Sequence, residues 1–165
     1  MAGNVEYIIP CKGLKDGSHE YSFHLGQRFF DDNKYAEIEN GNVDVILSLQ
    51  KKNQFMELFF KLQGTVSVVC DRCLALYDEK VRYTGKLVVK FQEGEDTDEI
   101  MHLGDGESEV DLEHYLYESV VLSLPLKKAH HKLQDCNPEF LSRIKNPEDS
   151  TGETDPRWDK LKDLL

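Results

Sequence analysis

The chain has no apolar run long enough to cross a membrane, and its first residues show no basic region followed by an apolar one. These absences predict a protein that is neither exported nor membrane-bound, and we expect it in the cytoplasm. Cysteine is also scarce, because only four occur in 165 residues and only two of them are closely spaced. That usage fits a reducing compartment better than a disulfide framework.

Signatures of catalysis are missing as well. There is no glycine-rich loop that would cradle phosphates, and serine and histidine occur in no recognisable nucleophile context. No pair of carboxylates stands out from the general acidity. We therefore expect a non-enzymatic protein without a small-molecule substrate.

The formal net charge of −11 by itself disfavours nucleic acid, because each phosphate contact needs a cation. The charges are segregated, however. Residues 51–90 contain eight basic and four acidic side chains, so this stretch carries +4 and the remainder of the chain −15. RNA binding therefore stays open as a function, beside an adaptor function in which acidic surface holds a basic protein without RNA contact.

The pair Cys70 and Cys73 is the most informative feature, because two thiols at this spacing can hold one metal ion or form one disulfide. β-Branched segments flank it at residues 66–69 and 76–81, which predicts thiols between two strands, as in half of a zinc ribbon. A thioredoxin-like redox pair would need a helix here, and the strand pattern resumes too soon for one. We also expect Asp71 to raise the pKa of Cys70, which further disfavours redox chemistry.

A tetrahedral zinc site needs two further ligands. The compact source is residues 130–136, where His131 and Cys136 have four residues between them and a turn could bring both to one ion. His130 is the alternative histidine, and Cys11 is isolated. The alternative is a metal-free site in which Cys136 is a small apolar residue. The predicted cofactor is one structural zinc ion, held by Cys70, Cys73, His131 and Cys136.

Alternating apolar and polar residues predict a sheet of several strands. The pattern covers residues 19–25, 43–51, 55–62 and 81–91. The second and third of these form a predicted hairpin, and the run from Glu39 to Asn42 is expected to be a turn.

The last predicted strand carries its cations on one face. Same-face residues four apart lie about 13 Å apart along a strand, which is comparable to a few backbone phosphates. The alternative is an ordinary solvated face whose lysines protect a sheet edge. With the cysteine turn as an extension, the predicted nucleic-acid-binding residues are Arg72, Lys80, Arg82, Lys86 and Lys90.

The second half begins with ten acidic residues and no Lys or Arg between Glu93 and Glu113. Such a run cannot bury enough apolar surface to offset the entropy of ordering, so residues 93–110 are predicted to be a flexible acidic linker. A helix with Asp111 as its N-cap then runs until Pro125, and a second short helix starts at Pro138.

A final short helix is predicted after Asp155, at the end of a polar stretch. A helix this short is marginal alone and must dock, either on a partner or on the chain's own domain. The predicted partner-binding residues are Trp158, Leu161 and Leu165.

Three segments together resemble a known family: Gly64–Leu74 with Cys-Asp-Arg-Cys-Leu, Leu122–Leu126, and Asp155–Leu161 with Asp-Pro-Arg-Trp. Together with the acidic stretch, and in their order along the chain, these segments are similar to those of the YceD family, the large ribosomal RNA subunit accumulation proteins. The resemblance implies a non-enzymatic protein of bacteria and chloroplasts that acts in ribosome biogenesis. Its partner would be large-subunit ribosomal RNA, the precursor of that RNA, or a ribosomal protein. Some members carry further cysteines near the C-terminus, where this chain has Cys136 and histidines.

We predict an α+β fold in which helices of the second half pack on an antiparallel, barrel-like sheet. Residues 1–92 would form the mainly β region with the cysteine turn, and residues 93–110 the linker. Residues 111–145 would be a helical region completing the same domain. Residues 146–165 would be a polar tail that ends in the helix with Trp158.

Overall fold

The fold is described from a computed structural model, which covers residues 7–11, 13–33, 38–104 and 106–143. The strands are β1 (Ile8–Pro10), β2 (Gly17–Leu25), β3 (Ile38–Lys51), β4 (Phe55–Val69), β5 (Leu76–Lys90), β6 (Ile100–His102) and β7 (Glu109–Asp111). The helices are α1 (Gln27–Asp32), α2 (Glu113–Ser123) and α3 (Pro138–Arg143), with a 3-10 turn at Leu133–Asp135. The predicted α+β class is confirmed.

The main sheet has five strands in the order β2-β3-β4-β5-β6. The pairs are antiparallel except for β6, which runs parallel to β5, while β1 and β7 form a separate antiparallel pair. Within the described ranges, β2 and β6 are not paired with each other. The sheet is therefore open, and the barrel-like closure is not confirmed.

The predicted hairpin of β3 and β4 is confirmed and is longer than expected. Its connection closes where the Lys52 N–H donates to the Phe55 carbonyl at 2.9 Å. The predicted turn at residues 39–42 is wrong, because these residues continue β3, and residues 40–42 pair with residues 65–67 of β4. The register of the β3–β4 pair shifts between Ile38 and Asn40, as at a β-bulge.

The core lies on one face of the sheet, where α2 packs. Odd-numbered residues of β3 and β5 and even-numbered residues of β4 are largely buried, as the alternation predicts. The Tyr115 ring of α2 lies 4.7 Å from that of Phe60, centroid to centroid. Asp111 accepts the Glu113 N–H at 2.9 Å, so it holds the first turn from two residues before the helix begins.

The acidic segment differs from the predicted flexible linker. It contributes β6 to the main sheet and β7 to the pair with β1, and it buries Leu103 and Val110 in the core. A few buried apolar side chains accompany this order, and strand pairing satisfies backbone polar groups of β6 and β7.

The chain after α2 returns across the end of the sheet toward the turn between β4 and β5, as its hydrogen bonds to that turn show. No helix in the described part of the chain combines the length and apolarity that a membrane span requires. The predicted final helix, with Trp158, Leu161 and Leu165, lies outside the described residues.

Candidate metal centre

The turn between β4 and β5 carries Cys70 and Cys73, as predicted. The Cys70 N–H donates to the Ala75 carbonyl and the Leu74 N–H donates to the Cys70 carbonyl, both at 2.9 Å. The backbone of Leu74 has a φ of 56°, a left-handed conformation that residues other than glycine seldom adopt. The turn therefore reverses the chain within six residues, and β5 begins at Leu76 without an intervening helix.

Two hydrogen bonds attach the C-terminal segment to this turn. The Asp71 N–H donates to the Lys128 carbonyl at 2.6 Å, and the Lys128 N–H donates to Asp71 Oδ2 at 2.7 Å. They place His130, two residues further on, beside the cysteines. The 3-10 turn then returns Cys136, whose N–H donates to the Leu133 carbonyl at 3.1 Å.

Four potential ligands converge as a result: Cys70, Cys73, His130 and Cys136. Their donor atoms all lie within 4.8 Å of one another. The Nδ1 atom of His130 is 3.6 Å from Cys73 Sγ and 3.6 Å from Cys136 Sγ. In a tetrahedral zinc site with Zn–S of about 2.3 Å and Zn–N of about 2.0 Å, neighbouring sulfur and nitrogen ligands are about 3.5 Å apart. The group could hold one metal ion.

The histidine of this group is His130, which the sequence offered only as the alternative to His131. The His130 ring packs against Tyr77 of β5, with centroids 4.8 Å apart and an interplanar angle of 36°. His131 is exposed and does not belong to the group. Cys11 lies elsewhere, buried beside β7, where its N–H donates to the Ser108 carbonyl.

The cysteines form a small core of their own at the end of the sheet. All three are buried, with at most 3% of their surface exposed. The apolar side chains packed around them are Ala75, Tyr77, Ala129, Phe140 and Leu141. Helix α3 thus packs against the thiols through Phe140 and Leu141.

Arg72 is directed at the thiols, although the sequence assigned it to nucleic acid. Its guanidinium Nη1 donates to Cys136 Sγ at 3.4 Å, and its backbone N–H donates to Cys70 Sγ at 3.4 Å. Both bonds favour thiolate over thiol. Arg72 therefore contacts two thiols of the cysteine group.

The ionisation of the thiols is strongly perturbed. Burial opposes the charged form of Cys70, but N–H groups of His130, Arg72 and Cys73 outweigh it and lower the pKa of Cys70 to about 6. The pKa of Cys70 is thus lowered and not raised, and Asp71, whose carboxylate accepts the Lys128 N–H, is not among the main causes. Burial raises the pKa of Cys136, and the neighbouring Cys73 and Cys70 add to the rise against the Arg72 hydrogen bond.

The predicted row of cations on β5 is only partly available. Lys80 and Arg82 are exposed, and they lie beside Thr65 and Gln63 of β4. Lys86 instead forms an ion pair with Glu57, with Nζ and Oε1 at 2.6 Å. Lys90, near the end of the strand, is only partly exposed.

The same outer face of the sheet contains residues that the sequence reading did not single out. Phe59 is 45% exposed and Ile46 is 52% exposed. Lys61 follows Phe59 by two residues on β4 and lies directly opposite Ile46 of β3. The Lys86 ammonium lies 5.3 Å from the centroid of the Phe59 ring. The alternation of β4 places Phe59 and Lys61 on the polar face, which was the signal for them.

A comparison with family models matches residues 58–165 to the family described as large ribosomal RNA subunit accumulation protein YceD. The chain belongs to the YceD family. The match begins within β4 and includes all four potential ligands of the cysteine group, whereas β1, β2 and β3 lie before it. Searches of curated proteins and of solved structures found no match.

Proposed function

We propose that this YceD family member supports the accumulation of large-subunit ribosomal RNA by binding that RNA or its precursor, and not by catalysis. The family description supports this biological role. The proposed RNA-binding surface is the outer face of the sheet, which is defined by Phe59, Lys61, Lys80 and Arg82. Ribosome assembly in the cytoplasm is the setting that this role implies.

The residues of the outer face suit two parts of RNA, the backbone phosphates and the bases. Lys61, Lys80 and Arg82 are exposed, and none of them has an ion pair within the described residues, so they can bind backbone phosphates. Phe59 offers an exposed ring on which an unpaired base could stack, as aromatic residues on other RNA-binding sheets do. A sheet face with cations around an aromatic ring favours single-stranded or looped RNA.

The cysteine group would hold one structural zinc ion, with Cys70, Cys73, His130 and Cys136 as ligands. The buried thiols, the 3.6 Å spacings and the lowered pKa of Cys70 support zinc, since thiolate is the form that binds it. Three thiolates and Zn²⁺ carry one net negative charge, which the Arg72 guanidinium would offset. The ion would fix the segment from Lys128 to α3 against the sheet.

The final helix remains a prediction. Trp158, Leu161 and Leu165 would contact a ribosomal protein or the chain's own domain.

A redox role for the cysteine pair is the weaker candidate despite the acidic pKa of Cys70. Cys70 has no exposed surface and Cys73 has 3%, whereas reactive thiols need access to their substrate. The strand that follows the turn also gives neither thiol a helix N-terminus.

RNA binding is tested by filter binding of large-subunit ribosomal RNA over a series of salt concentrations. The variant Lys80→Glu/Arg82→Glu should weaken binding by at least about tenfold and lower the salt dependence by about two ion equivalents. Lys15→Glu/Arg28→Glu, at an exposed lysine and an exposed arginine away from this face, makes the same charge change and should have little effect. Binding that is absent, or equal in the two variants, would favour the acidic adaptor instead.

A further inference from the structure

A cleft of about 1030 Å³ lies between α2 and the edge of the main sheet. Its floor is β5 and its far rim is the segment around β6. Its walls combine aromatic, apolar and acidic side chains, among them Tyr83, Tyr115, Leu122, Asp98, Glu99 and Glu118. Leu122 is 76% exposed although it belongs to the helix that covers the core. The cleft lies on a different part of the sheet from the cysteine group.

The edge of β5 at this cleft is open. β6 pairs with β5 only at Val88–Lys90, so within the described part of the chain no strand continues along residues 76–87 on that side. The Val88 N–H points to this edge, because it donates to the Glu99 carbonyl at 2.8 Å. Backbone groups alternate along a strand, so the N–H and C=O groups of Thr84 and Lys86 point the same way. Both residues line the cleft and are exposed.

The charge of the cleft indicates what could occupy it. Asp98, Glu99 and Glu118 face it, and of these only Glu118 has an ion pair among the described residues, with His114 at 3.0 Å. Lys86 also lines the cleft, but its ammonium is already paired with Glu57 on the outer face. A second copy of the chain would bring the same acidic rim against itself, and RNA would be repelled.

We propose that this cleft binds a basic peptide of a partner protein in extended conformation, added as a strand to the free edge of β5. The peptide backbone would pair with Thr84 and Lys86. Alternate side chains would then point either into the wall formed by Tyr115 and Leu122 or toward the rim, where Asp98 and Glu99 would receive lysine or arginine. An open strand edge is the feature that permits such addition. This interaction is separate from RNA binding on the outer face.

The probe is a fluorescein-labelled heptapeptide of alternating lysine and valine, measured by fluorescence anisotropy against the full chain. Two control peptides separate the contributions: one with glutamate in place of lysine, and one N-methylated at alternate backbone nitrogens. We expect binding of the first peptide and at least tenfold weaker binding of both controls. Equal binding of the N-methylated peptide would overturn the strand addition.

Two variants test the position on the protein. Thr84→Pro removes an N–H from the free edge and leaves the β4–β5 hydrogen bonds in place. It should therefore weaken binding of the peptide at least tenfold. Ser22→Pro makes the same change at an outward-pointing position of β2, the opposite edge strand, and should leave affinity unchanged. Asp98→Lys/Glu99→Lys should also abolish binding. Unchanged affinity of Thr84→Pro for the peptide would overturn the proposal. A separate measurement of RNA binding by that variant shows whether the outer face still binds RNA.

Discussion

Asp71 and Lys128 are joined by a reciprocal pair of hydrogen bonds, 2.6 and 2.7 Å long, across 57 residues of sequence. The pair holds the chain after α2 against the cysteine turn before any metal is considered. The four ligands are therefore brought together by the fold itself, and a zinc ion would bind a site that is largely formed.

Asp71→Ala should weaken this attachment. The substitution removes the acceptor of the Lys128 N–H, and we expect the free energy of unfolding to fall by about 1 kcal/mol, the usual worth of one such bond. Zinc affinity should fall with it, because one of the two hydrogen bonds that position His130 is lost. Chemical denaturation and competition with a zinc-binding dye measure the two effects. Asp78→Ala, an exposed aspartate of β5, serves as the control and should change neither.

Glu57→Gln should strengthen RNA binding. The Lys86 hydrogen bond, followed by that of Lys52, lowers the pKa of Glu57, so this carboxylate is charged and holds both ammonium groups at neutral pH. Neutralising it would free cations beside Phe59. We expect severalfold tighter RNA binding and a steeper salt dependence, measured by filter binding. Glu20→Gln, an exposed position on β2, makes the same charge change away from these lysines. An equal gain in that variant would show that only net charge matters.

We expect ionisation of the Cys11 thiol to lower the free energy of unfolding in alkaline solution. Burial raises the pKa of Cys11 from 9.0 to about 11, so the unfolded chain loses this proton at a lower pH than the folded protein does. A raised pKa favours the native state below pH 9, and that contribution is lost as the pH rises to 11. Urea unfolding over this interval should therefore show a steeper loss of stability in the wild-type protein than in Cys11→Ala. Parallel curves would contradict the assignment.

The strands could be predicted because their alternation is local information. The strands predicted at residues 19–25 and 81–91 correspond to β2 and β5, which extend further toward the N-terminus, since one face of each strand is more buried than the other. The polar run at residues 39–42 was misread, because a long partner strand overrides weak local strand propensity. The acidic segment was misread for a related reason: edge pairing and a few buried side chains can order a highly charged chain.

The cysteine group could be predicted only in part. The spacing of Cys70 and Cys73 indicated the turn, and the supply of further ligands indicated residues 130–136. The choice between His130 and His131 depends on which ring packs against Tyr77, a contact between segments that spacing does not contain. The roles of Arg72 and Lys86 depend likewise on partners distant in sequence, Cys136 and Glu57.

The metal content of the protein tests the proposed centre most directly. Native mass spectrometry of chains purified without chelator and without a histidine tag should show one zinc ion in the wild type and in His131→Ala, but none held stably in His130→Ala or Cys136→Ala. The neighbouring histidine is a matched control for the loss of an imidazole. A folded, metal-free wild-type protein, or zinc that is lost in His131→Ala and retained in His130→Ala, would contradict the centre described here.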